Sequence, residues 1–391
     1  MFLMYVSAIL ALILAMALIS VNFLYDGEGK AKIYKILTAA DLVTILGIIG
    51  GFSMRAHLPN AAVDFLGSFA TVFLISQLAC GALVILALII RAIYRKLNPA
   101  PEYSPARRRA LKWGLLYPLA SLAITLYGNR VERFNVVDRF FDIPVKKLPL
   151  ELNGFKIAQI SDIHLGAYFS LERLELLLQR AAEAKPDILT ITGDIFDDNS
   201  MNDKAIQLVN SFCDKFNHGI YYIHGNHEHF RGIQRIEAEL AKTKIHWLVN
   251  QSAHVISNLY VIGVDYPPAS PITKSGERGD LDNVFYQQMR SFVEKALSKV
   301  PYDATVILLA HHPEFFDAAV EKNIPLTLMG HTHGEQLGIF GKPIFNVFKY
   351  SRGMYQNEDC YGYVSVGCGS WFPIRIGCPP EIAYFTLTNK V

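Results

Sequence analysis

Long apolar segments near the N-terminus most constrain how this chain can fold. Residues 1–24 carry no charge before Asp26, and further apolar runs cover residues 33–54 and 62–90. A helix of about 20 apolar residues crosses the hydrocarbon core of a bilayer. A signal peptide suits the first segment less well, because no basic residue precedes its apolar core. The pattern predicts transmembrane helices.

A fourth apolar segment, residues 113–127, is shorter and contains Pro118. It could span the bilayer or lie along its interface. The loop before it, residues 91–112, carries seven basic residues and one acidic residue, Glu102. By the positive-inside rule this loop is cytoplasmic. Everything after residue 128 then lies on the outer side if the fourth segment spans, and in the cytoplasm if it does not.

Composition supports this division of the chain. The 391 residues are enough for two domains, and 51% of them are hydrophobic. A mean hydropathy of +0.24 is high for a soluble enzyme. The net charge of +2 offers no basic excess, so we expect no nucleic-acid partner. Asp41 falls in the second apolar segment, and we expect it near a helix end rather than in a transport pathway.

The cysteines form no metal-binding pattern. There are five, and none belongs to a CxxC pair. We expect buried thiols. A disulfide among Cys360, Cys368 and Cys378 is the alternative in an oxidising compartment.

The chain changes character after residue 128. Residues 1–128 are predicted to form a transmembrane region of about four helices, and residues 129–152, with Pro144 and Pro149, a linker. Residues 153–391 alternate short apolar runs with amphipathic stretches, which predicts an α/β domain. Functional sites of such domains gather beyond the carboxyl ends of the strands.

Polar clusters follow several of the predicted strands. They occupy residues 162–164, 193–197, 225–228, 311–312 and 330–333. Histidine and carboxylate side chains suit manganese, iron or zinc. His331 and His333, two residues apart, would point the same way in regular strand. One histidine at a strand end is more often structural, but five clusters on one edge predict a metal site.

These clusters resemble a known motif set. Asp162-x-His164, Gly193-Asp194, Gly225-Asn226-His227-Glu228, His311 and Gly330-His331-x-His333 resemble the motifs of the calcineurin-like metallophosphoesterases. The resemblance covers residues 153–388 and extends to the membrane-attached bacterial YkuE/YaeI-like branch, through the sequences SDIHLG, GHTHG and PPEI. It implies a four-layer αββα sandwich, in which two β-sheets pack face to face with helices outside.

The resemblance also implies a centre of two divalent ions, with manganese expected and iron or zinc as alternatives. The implied ligands are Asp162, His164 and His333 for one ion, Asn226, His311 and His331 for the other, and Asp194 as a catalytic bridge between them. His227 resembles the catalytic residue that contacts the phosphate and protonates the leaving oxygen. Asp197 is expected to orient a histidine from outside the ligand set, with a helix cap as the alternative.

Other polar residues are expected outside the ligand set. They are His312, His224, His229 and His254. Glu335 stands where relatives often have glycine, and its carboxylate could narrow the choice of substrate. The aromatic segment 340–355 could line a groove for a lipid-linked or aromatic substrate, or form an ordinary surface loop.

The sequence therefore predicts an integral membrane protein, expected in a bacterial inner membrane with its catalytic domain on the periplasmic side. It would hydrolyse a phosphomonoester, phosphodiester or pyrophosphate through metal-bound hydroxide. A lipid-linked or envelope-precursor phosphoester is the candidate substrate. The alternative function is a catalytically silent sensor or scaffold that binds metal or a phosphorylated ligand. The sequence does not predict an oligomeric state.

Overall fold

The structure, a computed structural model, describes residues 2–25, 27–54, 58–97, 116–267, 278–344 and 346–389. Contacts within the chain divide it into two compact units. The first comprises Met1–Val131 and Phe372–Ile376, and the second comprises Glu132–Trp371 and Gly377–Val391. Each unit is described by itself below.

The described part of the first unit contains four α-helices. They are α1 (Phe2–Leu24), α2 (Gly29–Met54), α3 (Asn60–Leu97) and α4 (Leu116–Arg130). Their positions follow the four apolar segments of the sequence. Residues 98–115, which include most of the predicted cytoplasmic loop and the start of the fourth segment, lie outside the described residues. Among the described residues, α3 alone is both long and apolar enough to cross a membrane.

The first unit exposes large apolar side chains and buries polar ones. Val43, Leu46 and Phe65 are 70%, 67% and 63% exposed, whereas Ser68 and Asp41 are almost fully buried. The expectation that Asp41 lies near a helix end is wrong. It lies well inside α2 and accepts a hydrogen bond of 2.6 Å from the Gln77 side chain of α3. This helix-to-helix hydrogen bond satisfies one oxygen of the buried carboxylate, whereas Oδ2 of Asp41 has no hydrogen-bond partner among the described residues.

The second unit is a mixed α/β domain with two six-stranded sheets. In the first sheet the order is β1-β14-β2-β3-β4-β5, formed by Val137–Val145, Glu381–Asn389, Lys156–Ile160, Ile188–Ile191, Ile220–Tyr222 and His246–Trp247. In the second the order is β12-β13-β9-β8-β7-β6, formed by Gly353–Asn357, Cys360–Val364, Leu326–Met329, Thr305–Leu309, Leu259–Gly263 and Gln251–Ile256. A separate two-stranded hairpin joins β10 (Gly338–Ile339) to β11 (Lys342–Pro343).

The structure differs from the sequence prediction over residues 129–152. Instead of a linker, most of this segment belongs to the second unit. Strand β1 pairs in parallel with β14 over nine residues, from Val137 opposite Glu381 to Val145 opposite Asn389. Pro144 does not prevent this pairing, because β1 is an edge strand of its sheet, where proline is tolerated, and Pro149 lies beyond the end of β1.

Six helices accompany the sheets in the described part of this unit: α5 (Leu171–Glu183), α6 (Asn202–Ser211), α7 (Asn226–Phe230), α8 (Ile233–Leu240), α9 (Arg278–Leu297) and α10 (Phe315–Glu321). Buried apolar side chains form three clusters. Ile157 and Ala158 are neighbours on β2 but belong to different clusters, because successive side chains of a strand face opposite sides. The cluster of Ile157 also contains Ile307 of the second sheet, whereas the cluster of Ala158 contains Leu178 of α5. Residues of both sheets therefore share one core.

The cysteines agree with the prediction of buried thiols. All five are buried thiols.

Candidate metal centre

The predicted ligands lie in loops that follow the strands of both sheets. Asp162 and His164 follow β2, Asp194 follows β3, and Asn226 opens α7 after β4. In the second sheet, His311 follows β8, and His331 and His333 follow β9. These are parallel strands of their sheets, so their carboxyl ends meet at one edge. The alternation of strands and helices thereby brings together predicted ligands that are distant in sequence.

The backbone at this edge is unusual. Asp162, His164, Asp194, His331 and His333 all have positive φ, between 51° and 76°. Such a conformation costs an ordinary residue about 1 kcal/mol or more and is concentrated at functional sites. The strand geometry expected for the two histidines is therefore wrong. Because each has a left-handed backbone, they point in different directions and join different groups of side chains.

A first cluster consists of Asp162, His164 and His333, whose potential ligand atoms lie within 4.8 Å of one another. The Nε2 atoms of His164 and His333 are 2.8 Å apart. His333 Nε2 is 3.5 Å from Asp162 Oδ1. All three side chains are buried.

A second cluster consists of Asn226, His311 and His331. His331 Nδ1 lies 2.9 Å from the Asn226 Oδ1 atom and 3.3 Å from His311 Nε2. The other ring nitrogen of His311 donates a hydrogen bond of 2.7 Å to the Thr192 carbonyl, so its Nε2 faces the cluster. Asn226 and His331 are only partly buried.

Asp194 lies between the two clusters. Its Oδ2 atom is 3.6 Å from His164 Nε2 and 3.3 Å from His311 Nε2. Its Oδ1 atom accepts a hydrogen bond of 2.9 Å from the backbone N–H of His227. One carboxylate oxygen therefore faces both clusters, which is the position that a bridging ligand requires.

The residues present fit a pair of divalent cations. They supply ring nitrogens and carboxylate oxygens, the donors that manganese, iron and zinc accept. Two ring nitrogens 2.8 Å apart, as in His164 and His333, repel each other through their lone pairs unless a proton or a cation lies between them. A cation bound between the two rings would relieve this repulsion.

Electrostatics favour the same conclusion. Burial lowers the pKa of His331, and neighbouring His311 and His312 lower it further, so this imidazole is neutral at pH 7. Burial also acts against a charge on His311, but Asp194 outweighs it and raises the pKa of His311 to about 10. Burial would raise the pKa of Asp194, yet His311 and His227 hold it well below its usual range. The site is thus built around an ionised carboxylate, and a metal ion would compete with the His311 proton.

His227 stands beside the clusters with one nitrogen already engaged. Its Nδ1–H donates a hydrogen bond of 2.5 Å to Asp197 Oδ1, and its Nε2 lies 4.0 Å from Asp194 Oδ2. Asp197 also faces His164, with Oδ2 3.5 Å from Nδ1. Asp197 therefore contacts two histidines of the site, and it does not cap a helix, because α6 begins only at Asn202.

Glu228 belongs to one of the sequence motifs, but its role is apparent only from the structure. This fully buried carboxylate accepts three backbone N–H bonds, from Asp194 (3.0 Å), Ile195 (2.8 Å) and Gly225 (2.7 Å). It ties the loop after β3 to the loop after β4. The signal for it was the acidic residue at the third position of α7, where a side chain can reach back to the start of a helix.

Two glycines allow the close approach of these loops. A side chain at Gly225 would collide with the Asp194 carboxylate, and one at Gly330 with the side chains of Ser161 and Asp162. Neither position tolerates a Cβ atom unless the ligands move.

The second cluster has aromatic neighbours that the sequence did not reveal. The rings of Tyr266 and Phe348 lie 5.6 Å and 5.3 Å from that of His331. Glu335, expected near the site, accepts a hydrogen bond of 3.2 Å from the backbone N–H of Val347. Its carboxylate therefore anchors the loop that carries Phe348.

The four histidines expected outside the ligand set do lie outside both clusters. His312 is buried and accepts a hydrogen bond of 3.3 Å from the backbone of Glu314. His224, His229 and His254 pair with Glu237, Asp265 and the Ser257 carbonyl, respectively.

Comparisons with known proteins point to one family. Residues 155–335 match the family described as calcineurin-like phosphoesterase. A metallophosphoesterase of Helicobacter pylori is 30% identical over 74% of this chain and 74% of its own length. YkuE, a metallophosphoesterase of Bacillus subtilis, is 31% identical over 73% of this chain and 98% of its own length. A transmembrane protein with a metallophosphoesterase domain from Danio rerio is 29% identical over 69% of this chain and 61% of its own length.

The chain therefore belongs to the calcineurin-like metallophosphoesterases, a family of metal-dependent phosphoesterases with a dinuclear divalent metal centre.

Proposed function

We propose that this metallophosphoesterase is anchored in a membrane and hydrolyses a phosphoester that carries a lipid or another envelope precursor. The bond cleaved would be a phosphomonoester, phosphodiester or pyrophosphate bond. The observation that carries the hydrolytic proposal is the placement of Asp194 Oδ2 between His164 and His311, with His227 beside them. The domain would be the four-layer αββα sandwich of its family, a proposal supported by the core that both sheets share.

The proposed ligands divide as the two clusters do. Asp162, His164 and His333 would hold one ion, Asn226, His311 and His331 the other, and Asp194 both. When bound, two divalent ions supply Lewis acidity to a phosphate and lower the pKa of a nearby water. We expect manganese, with iron or zinc as alternatives, because nitrogen and oxygen donors are mixed.

His227 would protonate the leaving oxygen. Because its Nδ1–H is held by Asp197, the proton that it can transfer lies on Nε2, the nitrogen that faces the site. Glu228 ties the loop of Asp194 to the loop of Asn226 and His227. It thereby preserves the distance between His227, the proposed proton donor, and the proposed ligands.

Membrane anchoring is proposed from the first unit. Its exposed leucine, valine and phenylalanine side chains would suit a hydrocarbon environment, and its interior hydrogen bond between Asp41 and Gln77 would suit a helix contact inside a bilayer. The relative from Danio rerio is itself named a transmembrane protein. We propose an inner-membrane location with the second unit on the periplasmic side, and a cytoplasmic placement is the alternative.

The test is hydrolysis of bis-p-nitrophenyl phosphate by the full chain, purified in detergent with manganese. We expect turnover that a chelator abolishes and manganese restores. His227→Ala should reduce this turnover at least about 100-fold, the usual contribution of a general acid. His254→Ala is the matched control, because His254 is exposed and bonds only to a local carbonyl. Full activity of His227→Ala would contradict the proposed role.

Topology is tested separately. Alkaline phosphatase fused after residue 131 should be active in cells if the second unit is periplasmic. An inactive fusion at that point, together with an active cytoplasmic reporter at the same point, would reverse the placement.

A further inference from the structure

A hairpin next to the metal centre exposes an unusual set of apolar side chains. Strands β10 and β11 are joined by Phe340 and Gly341, both with positive φ, the turn geometry favoured in two-residue hairpins. Phe340 is 100% exposed, and Val347, Ile339 and Ile344 are 71%, 59% and 49% exposed. Phenylalanine is a poor residue for a left-handed turn, so the backbone alone does not explain its presence at the tip.

The hairpin is attached to the ligands themselves. It begins at Gly338, shortly after His333, and Ile344 returns a hydrogen bond of 3.0 Å to the Leu337 carbonyl. On the other side, Glu335 holds the backbone of Val347 at 3.2 Å, and the next residue, Phe348, packs near the ring of His331. The chain on both sides of the hairpin is therefore tied to the metal centre, through His333 before it and Phe348 after it.

Single exposed apolar residues are common on protein surfaces, but four on one short segment are not. Lys342 is also exposed on this hairpin. An apolar tip beside a lysine is the arrangement of loops that enter the interfacial region of a bilayer, since the lysine can reach anionic headgroups while the tip enters the acyl boundary. A bilayer is also the surface that a chain carrying the apolar helix α3 would meet.

We propose that the hairpin of β10 and β11, together with Ile344 and Val347, inserts its tip into the interface of an anionic phospholipid bilayer and presents the second cluster to lipid-borne phosphates. This inference rests on the proposed function and adds to it a docking surface, which would favour the lipid-borne substrates among those proposed. The apolar tip supplies the insertion, and Lys342 supplies the preference for anionic headgroups.

The docking surface is tested by measuring how deeply spin labels on the hairpin enter a bilayer. The full chain is placed in nanodiscs of phosphatidylcholine with phosphatidylglycerol. Labels are placed by Phe340→Cys and Val347→Cys, and the control is Tyr302→Cys, at a fully exposed residue of the turn before β8. The five native cysteines are buried, and the labelled unsubstituted chain measures their background. We expect the labels at 340 and 347 to collide more with oxygen than with a water-soluble nickel chelate, and the label at 302 to do the reverse.

Two results would overturn the docking surface. One is a label at 340 that the nickel chelate reaches as readily as the label at 302. The other is a label at 340 shielded from both reagents, which would indicate that a protein covers the hairpin. Nanodiscs of phosphatidylcholine alone test Lys342: immersion should be shallower there than with phosphatidylglycerol, and equal immersion would remove the headgroup preference from the proposal.

Activity tests the substrate class. Two turnovers are compared, that of a vesicle-embedded phospholipid and that of soluble bis-p-nitrophenyl phosphate. For Phe340→Asp we expect the ratio of the first to the second to fall about 10-fold. Tyr302→Asp should not change that ratio. An unchanged ratio for Phe340→Asp would refute delivery of lipid substrates by the hairpin. If the unsubstituted chain hydrolyses neither compound, the proposed function fails, whereas the spin-label result still decides whether the hairpin docks on a bilayer.

Discussion

The two clusters of the metal centre differ in charge and in access. The first cluster, Asp162 with two histidines, contains a carboxylate of its own and is buried. The second has only the neutral amide oxygen of Asn226 beside its histidines, and both Asn226 and His331 are partly exposed. A carboxylate offsets more of the charge of a dication than an amide does. The buried cluster is thus suited to retain an ion, and the open cluster to polarise an arriving phosphate.

The largest effect should come from the residue that the two clusters share. Asp194→Asn removes the ionised carboxylate whose Oδ2 faces His164 and His311. We expect turnover of bis-p-nitrophenyl phosphate to fall about 1,000-fold, because a ligand of both ions is lost. The control is Asp214→Asn, at a surface residue paired with Lys244. Activity of Asp194→Asn within a factor of ten of the unsubstituted chain would remove Asp194 from the centre.

Loss of one histidine from each cluster should separate them. His333→Ala and His331→Ala should each lower turnover at least about 100-fold, since one Lewis acid contributes several kcal/mol. Metal analysis should find about one ion per chain in each variant. His331→Ala should retain its remaining ion through gel filtration better than His333→Ala does. If both variants lost both ions equally, the two clusters would not be separate sites.

Asp197 should affect both the first cluster and His227, the proposed proton donor. Asp197→Asn removes the charge that faces both His164 and His227, and we expect a fall in turnover of roughly 10- to 100-fold. Because Asp197 holds both rings, the loss of turnover should persist at saturating manganese. Full recovery of turnover in excess manganese would limit Asp197 to the support of His164.

The smallest effect tests the charge difference directly. Asn226→Asp gives the second cluster a carboxylate of nearly the same size. We expect tighter retention of the second ion but turnover about 10-fold lower, because that ion polarises phosphate less. Unchanged turnover, with unchanged metal retention, would show that the charge difference between the clusters has no functional consequence.

Local patterns in the sequence were sufficient to predict the helices of the first unit and the residues of the metal centre. The apolar segments predicted α1 to α4, because a long uninterrupted apolar run is typical of a membrane-spanning helix. The motifs predicted which side chains converge, because each directly follows an apolar strand. Neither signal required knowledge of distant contacts.

The rest depended on contacts between residues far apart. Residues 137–145 look like a linker until β14 is present to pair with them. Asp41 appears isolated until α3 brings Gln77 beside it. The left-handed backbone of His331 and His333 had no signal in the sequence, since even histidine adopts positive φ only in a minority of cases.

The position of β14 has a consequence for how the domain forms during synthesis. This strand lies between β1 and β2, and it pairs with β2 through Lys156 opposite Thr386 to Gln159 opposite Ala383. Strand β2 precedes the loop of Asp162 and His164, so a nascent chain that ends before β14 leaves the support of these ligands incomplete. Contacts of such long sequence separation form slowly. Metal uptake should therefore be post-translational, after β14 has left the ribosome and closed the sheet.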